Sequence, residues 1–146
     1  MTPFRPRLAR IVSVVLAIAL IIGTGALFAV SPSFGMYEFT TWDYVGTIVF
    51  VALLLGLLWI QYQVRLVPSE DGIYIKNLFL SHRLTWNEII GVDFGQGPWA
   101  RIDTVMGDTI NIMAIQSADG EYAKREAVRL ATLIDNHSPQ EPPTPA

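Results

Sequence analysis

The sequence predicts an α+β chain in which a two-helix transmembrane hairpin precedes a small curved antiparallel β-sheet or barrel capped by a C-terminal α-helix. Three observations carry this. Apolar residues make up 51% of the chain and charged ones only 16%, more apolar than an ordinary soluble domain. They are concentrated in two uncharged runs, Ile11–Val30 and Tyr44–Ile60. After Gln61 the pattern changes to short alternating segments divided by turn residues, followed by one amphipathic stretch.

Residues 1–10 form a basic N-terminus with Arg5, Arg7 and Arg10. Residues 11–30 follow as a first transmembrane helix. At 1.5 Å per residue, a run of about 20 residues reaches roughly 30 Å, the thickness of the hydrocarbon core. Residues 31–43 form an extracytoplasmic loop with Glu38 and Asp43 but no Lys or Arg. Residues 44–62 form the second transmembrane helix, with Trp42 and Tyr44 at one end and Trp59 and Tyr62 at the other as interfacial anchors. Arg65, Lys76 and Arg83 come next. The positive-inside rule then gives a multi-pass protein of the cell membrane with both termini cytoplasmic. The first run is longer than the apolar stretch of about 7–15 residues in a cleavable signal peptide. Its best small-x-small site, Ala29-Val30-Ser31, precedes Pro32. Cleavage is therefore disfavoured, and without the first helix the second would still run from outside to inside. Phe34, Tyr37, Phe39 and Trp42 in the loop read as an aromatic belt. Ala19/Gly23 and Ala52/Gly56 are small-xxx-small pairs that permit close helix approach.

Residues 63–137 are the folded domain. Gln63–Val67 and Gly72–Asn77 flank Pro68-Ser69-Glu70-Asp71, a hairpin with a proline start and a glycine return. Ser81–Thr85 is a third strand, and Trp86–Ile90 is a turn feeding a strand at Gly91–Phe94. Gly95–Pro98 is a loop, and Ala100–Val105 and Thr109–Ile115 pair across Met106-Gly107-Asp108. The final helix is expected to be capped by Asp119, with Tyr122, Ala127, Leu130, Leu133 and Ile134 on its buried face. Glu121 and Arg125 have favourable i,i+4 spacing. Trp86, Ile89, Val92 and Leu130 are the predicted core. Residues 138–146, SPQEPPTPA, form a proline-rich tail expected to be disordered.

The runs Arg65-Leu66-Val67-Pro68, Gly72-Ile73-Tyr74-Ile75 and Arg83-Leu84-Thr85-Trp86-Asn87-Glu88-Ile89, then Val92, resemble bacterial pleckstrin-homology-like (PH-like) domains. The order of two apolar helices, short barrel and final helix is similar to the actinobacterial low-molecular-weight protein antigen, or culture-filtrate antigen, family. The resemblance spans the chain except its tail. It implies a PH-like fold in a membrane setting and no particular activity.

The chain has no cysteine, which excludes disulfides, thiolate metal sites and cysteine nucleophiles. No glycine-rich phosphate loop precedes a helix, and no serine sits in a nucleophile elbow. His82 and His137 lack a third ligand pattern. No enzyme, cofactor or metal site is expected. From Gln61 onward the chain holds seven Lys and Arg against eleven Asp and Glu, a poor balance for nucleic acid. Phosphoinositide binding needs bases on the first hairpin loop, where Glu70 and Asp71 stand instead. The remaining candidates are Arg83, Glu88 and Trp99. The expected function is a non-catalytic, membrane-tethered interaction module. Its partners would be the lipid bilayer and an unidentified protein or a second copy of the chain. The alternatives are an accessory subunit recognised through its transmembrane hairpin, and a lipid-sensing domain acting through Trp99.

Overall fold

A computed structural model describes residues 1–31 and 38–137; the loop residues Phe34 and Tyr37 and the proline-rich tail lie outside them. The architecture is α+β: two N-terminal apolar helices, two small antiparallel sheets and a C-terminal helix. The chain divides into two compact units, Ala9–Gln63 and Met1–Leu8 with Val64–Ala146.

The helical unit holds most of α1 (Arg7–Val30) and all of α2 (Thr41–Tyr62), both long and apolar enough to cross a membrane. α2 starts in a reciprocal cap. The Thr40 side chain accepts from the Asp43 N–H, while the Thr40 N–H donates to Asp43 at 2.8 Å. Such a pair satisfies two otherwise orphaned backbone groups. The helices run antiparallel and meet at both ends. Phe28 packs edge-on against Tyr44 at 4.8 Å. At the other end Arg10 lies 4.0 Å over the Tyr62 ring and donates to the Tyr62 carbonyl. A Cβ added at Gly23 or Gly56 would meet nothing within 4 Å. Neither glycine is therefore packed against the facing helix.

In the other unit, β1 (Arg65–Pro68), β2 (Gly72–Lys76) and β3 (Ser81–Thr85) form one sheet in that order. β4 (Ile89–Asp93), β5 (Trp99–Thr104) and β6 (Thr109–Gln116) form the other. Arg65 stands opposite Lys76 and Gly72 opposite Thr85, so the first hairpins are in simple register. α3 (Glu121–His137) contributes Ala123, Ala127, Leu130 and Ile134 to a core shared with Leu66, Ile75, Ile102 and Ile112. A sheet this small cannot bury an apolar face alone, and the helix supplies the second layer. Trp86, Ile89 and Leu130 are buried. Val92 is half-buried and packs against that core. Asn77 stitches the two sheets. Its side-chain N–H donates to the Asn111 carbonyl at 2.8 Å, and its oxygen accepts from the Met113 N–H at 3.1 Å.

One expectation about α3 is corrected. Asp119 does not cap it. Gly120, at φ 57°, turns the chain ahead of α3. The Asp119 carboxylate instead accepts from the N–H groups of Arg7 (2.9 Å) and Leu8 (2.7 Å), capping α1. Glu121 makes its ion pair with Lys124, the i,i+3 neighbour, at 2.7 Å, and Arg125 adds a weaker attraction.

The N-terminus is not a free basic tail. Phe4 pairs with Leu66 as an antiparallel bridge on the outer edge of β1, through Phe4 N–H to Leu66 O at 2.8 Å and Leu66 N–H to Phe4 O at 3.1 Å. Its side chain is 0% exposed and joins the core.

Candidate interaction surfaces

The three sequence candidates fall in different places. Arg83 is exposed on β3 opposite Tyr74, its guanidinium 5.5 Å from the centre of the Tyr74 ring. Glu88 folds back onto Thr85. It accepts from the Thr85 N–H at 2.7 Å and from the hydroxyl at 2.9 Å. The Thr85 backbone bond, then its hydroxyl, holds the Glu88 carboxyl below the usual carboxylate range. Glu88 thus serves as the reciprocal cap of the 3-10 turn Trp86–Glu88.

Trp86, between them in sequence, points inward. Its indole N–H donates to the carbonyls of Ser69 (3.2 Å) and Glu70 (3.0 Å), and its ring stacks on His137 at 4.5 Å. One side chain thereby ties the first hairpin turn to the end of α3. His137 is therefore a packing partner of Trp86.

Trp99 is half-buried as the first residue of β5, opposite Gln116. The loop before it is tied down, since the Pro98 carbonyl accepts from the Ser117 N–H at 2.9 Å. Exposed apolar side chains lie elsewhere, among them Phe79 and Leu80 in the β2–β3 turn, Ile90 on β4, Val105 and Met106 at the β5–β6 turn and Val128 on α3. Ser69, Glu70 and Asp71 are all exposed in the first hairpin turn, where a phosphate would meet two carboxylates. Among the described residues no three His, Asp or Glu side chains gather as a metal site.

Two surfaces remain. The first is the outer edge of β3, with which no described strand pairs. Ser81, Arg83 and Thr85 are exposed along it, and a groove of about 340 Å³ beside it is lined by Ser69, Asp71, Tyr74, Arg83 and Thr85 among others. The second is the cleft holding the N-terminal segment. There Arg129 lies 3.9 Å over the Phe4 ring and donates to the Thr2 carbonyl, and Arg7 lies 3.8 Å over Tyr122. Sequence reasoning found Arg83 through its motif but missed Phe4. A single aromatic in a proline- and arginine-rich stretch carries no periodicity, and its partners are 62 or more positions away, the nearest being Leu66.

Residues 63–132 match the protein family described as Bacterial PH domain. The chain is 30% identical over 135 residues to uncharacterized proteins of two strains of Mycobacterium tuberculosis and of Mycobacterium bovis, covering 92% of this chain and 86% of theirs. No solved structure matches it.

Proposed function

This chain belongs to the bacterial PH domain family, and from that premise we propose that it is a non-catalytic protein-interaction module anchored at the cytoplasmic face of the cell membrane. Within the family, the order of two apolar helices, two short sheets and a final helix supports a place beside the low-molecular-weight protein antigens. The observation that carries the function is the unpaired outer edge of β3. Unpaired N–H and C=O groups there can add a partner strand, and pockets for alternate side chains would select it. Arg83 beside Tyr74 supplies the residue types that most often dominate binding energy. The partner is an envelope protein or a second copy of this chain.

The orientation rests on two supports. Arg5, Arg7, Arg10, Arg65, Lys76 and Arg83 flank the helices, while residues 31–43 carry no Lys or Arg. Met1–Leu8 also share one compact unit with Val64–Ala146, which favours both ends on one side of the membrane and an uncleaved first helix.

The test is photocrosslinking in native membranes from a probe at position 83. A discrete adduct is expected, and Arg83→Glu with the probe moved to Ser81 should abolish it without changing the amount of protein in the membrane. An adduct that persists would rule out this edge. A second reading, an accessory subunit recognised through its helices, is favoured by the open glycines Gly23 and Gly56 and a cavity of about 240 Å³ lined by Ser13, Ala17, Leu55 and Trp59 among others. Exchanging the helices for unrelated spans would then abolish capture.

A further inference from the structure

We propose that the cleft between the outer edge of β1 and α3 is a peptide-binding site. Its ligand is an extended segment with Phe and, three residues on, Arg. The chain's own residues 2–7 fill it as an intramolecular latch. This surface lies on the opposite edge of the sheet from β3, so it stands or falls separately from the preceding reading.

The contacts divide as they do in strand-addition recognition, with main-chain bonds for affinity and side-chain pockets for selectivity. The main-chain part is the Phe4–Leu66 bridge, two bonds at 2.8 and 3.1 Å. The selective part is a fully buried phenyl ring under the Arg129 guanidinium, at 3.9 Å. Glu126 steadies Arg129 at 2.8 Å. A cation held over an aromatic face favours a ring over an aliphatic side chain. The Tyr122 ring receives Arg7 at 3.8 Å, and the Asp119 carboxylate receives the N–H groups of Arg7 and Leu8. Tyr122 and Asp119 together set a spacing of Phe to Arg across positions 4 and 7.

The segment is held without being optimised. Pro6, next in register opposite Val64, lacks the N–H that would face β1, so pairing along β1 is confined to the single bridge at Phe4. The Arg5 Nε is buried with no acceptor, which opposes docking. A partner strand that paired along more of β1 would gain bonds the latch does not make. Tethering offsets this deficit, because a covalently linked segment acts at an effective concentration on the order of millimolar. The latch thus closes the site to weak ligands and yields to a strong one.

The test uses the full-length chain in detergent micelles and a fluorescent peptide with the sequence of residues 1–8. A chain lacking residues 2–8 should bind the peptide saturably. Wild type should bind it at least about tenfold more weakly, since the latch competes. A peptide carrying Phe4→Ala should lose about tenfold or more on the truncated chain. Equal binding by both chains, or indifference to the Phe4→Ala change, would overturn the proposal. If truncation prevents folding, the full-length Phe4→Ala chain decides. The wild-type peptide should raise its melting temperature, and no rise would count against the site. Light scattering separates a latch within one chain from exchange between two. A wild-type dimer that dissociates on truncation would overturn the intramolecular assignment.

Discussion

Trp86 joins three parts of the domain at one point. Its ring is 5% exposed, its N–H reaches two carbonyls of the first hairpin turn, and His137 stacks on its face. Trp86→Ala should cost about 3–5 kcal/mol, the usual range for a large buried aromatic. Trp86→Phe keeps most of the packing and should lose about 1 kcal/mol with the N–H bonds. Chemical denaturation of the two variants checks the order, and equal losses would mean the hydrogen bonds dominate. Glu88 gives a pH-dependent prediction. Its folded carboxyl is held below the usual range by the Thr85 N–H, so its contribution is fully present above the unfolded carboxylate pKa of about 4.3. It is lost as pH falls through the lowered folded value. Glu88→Gln should therefore flatten the acid-side fall in melting temperature below about pH 4.3 and leave its neutral-pH slope unchanged. A variant that tracks wild type down to pH 3 would show that the cap carries no linked proton. Phe4 and Asn77 are as central as Trp86, yet neither lies in a recognisable pattern.

At the scale of elements, the hairpins follow from local chemistry. Alternation sets the strands, and Ser69–Gly72 closes the first turn with a 2.7 Å backbone bond. Gly72 is required by its neighbour more than by its own turn. A Cβ there would stand 2.0 Å from the Leu84 carbonyl oxygen, across the β2–β3 pair. Gly72→Ala should destabilise the domain by about 1–3 kcal/mol, the cost of forcing volume into a packed site. Amide exchange should quicken first in β2 and β3, and uniform quickening in all strands would indicate global rather than local strain. Three of the four sheet edges differ for reasons the strands alone do not show. β1 is covered by Phe4, β4 packs toward α3, and β3 has no described strand on its outer side. The last helix illustrates a local rule losing to a distant partner. Asp119 sits where a cap of α3 belongs by sequence, but Gly120 turns the chain and the carboxylate serves α1 instead.

For the whole molecule, the apolar helices and the basic residues around them lead to a topology experiment. A reporter active only in the cytoplasm should work when fused after Ala146, and should be silent when inserted in residues 33–40. The reverse pattern would invert the assignment. An N-terminal epitope should remain on the mature protein and be reached from the same side as the C-terminus. Its loss would show cleavage and would also strip Phe4 from the core.

The sequence by itself determined the α+β class, the two long apolar helices, the order of six strands and a final helix, and the inward position of Trp86. These depend on composition and on periods of 2 and 3.6 residues, which are local properties. It also carried enough of the domain's pattern to place the family. Only the tertiary structure decided that Phe4 completes the core, that Asp119 caps α1, that Asn77 bridges the sheets and that Trp99 is held in a strand while Phe79 lies open. Each of these is a contact between residues far apart in the chain or a matter of which edge faces which neighbour. No local period encodes such pairings, because they arise only when the separate elements close over one core.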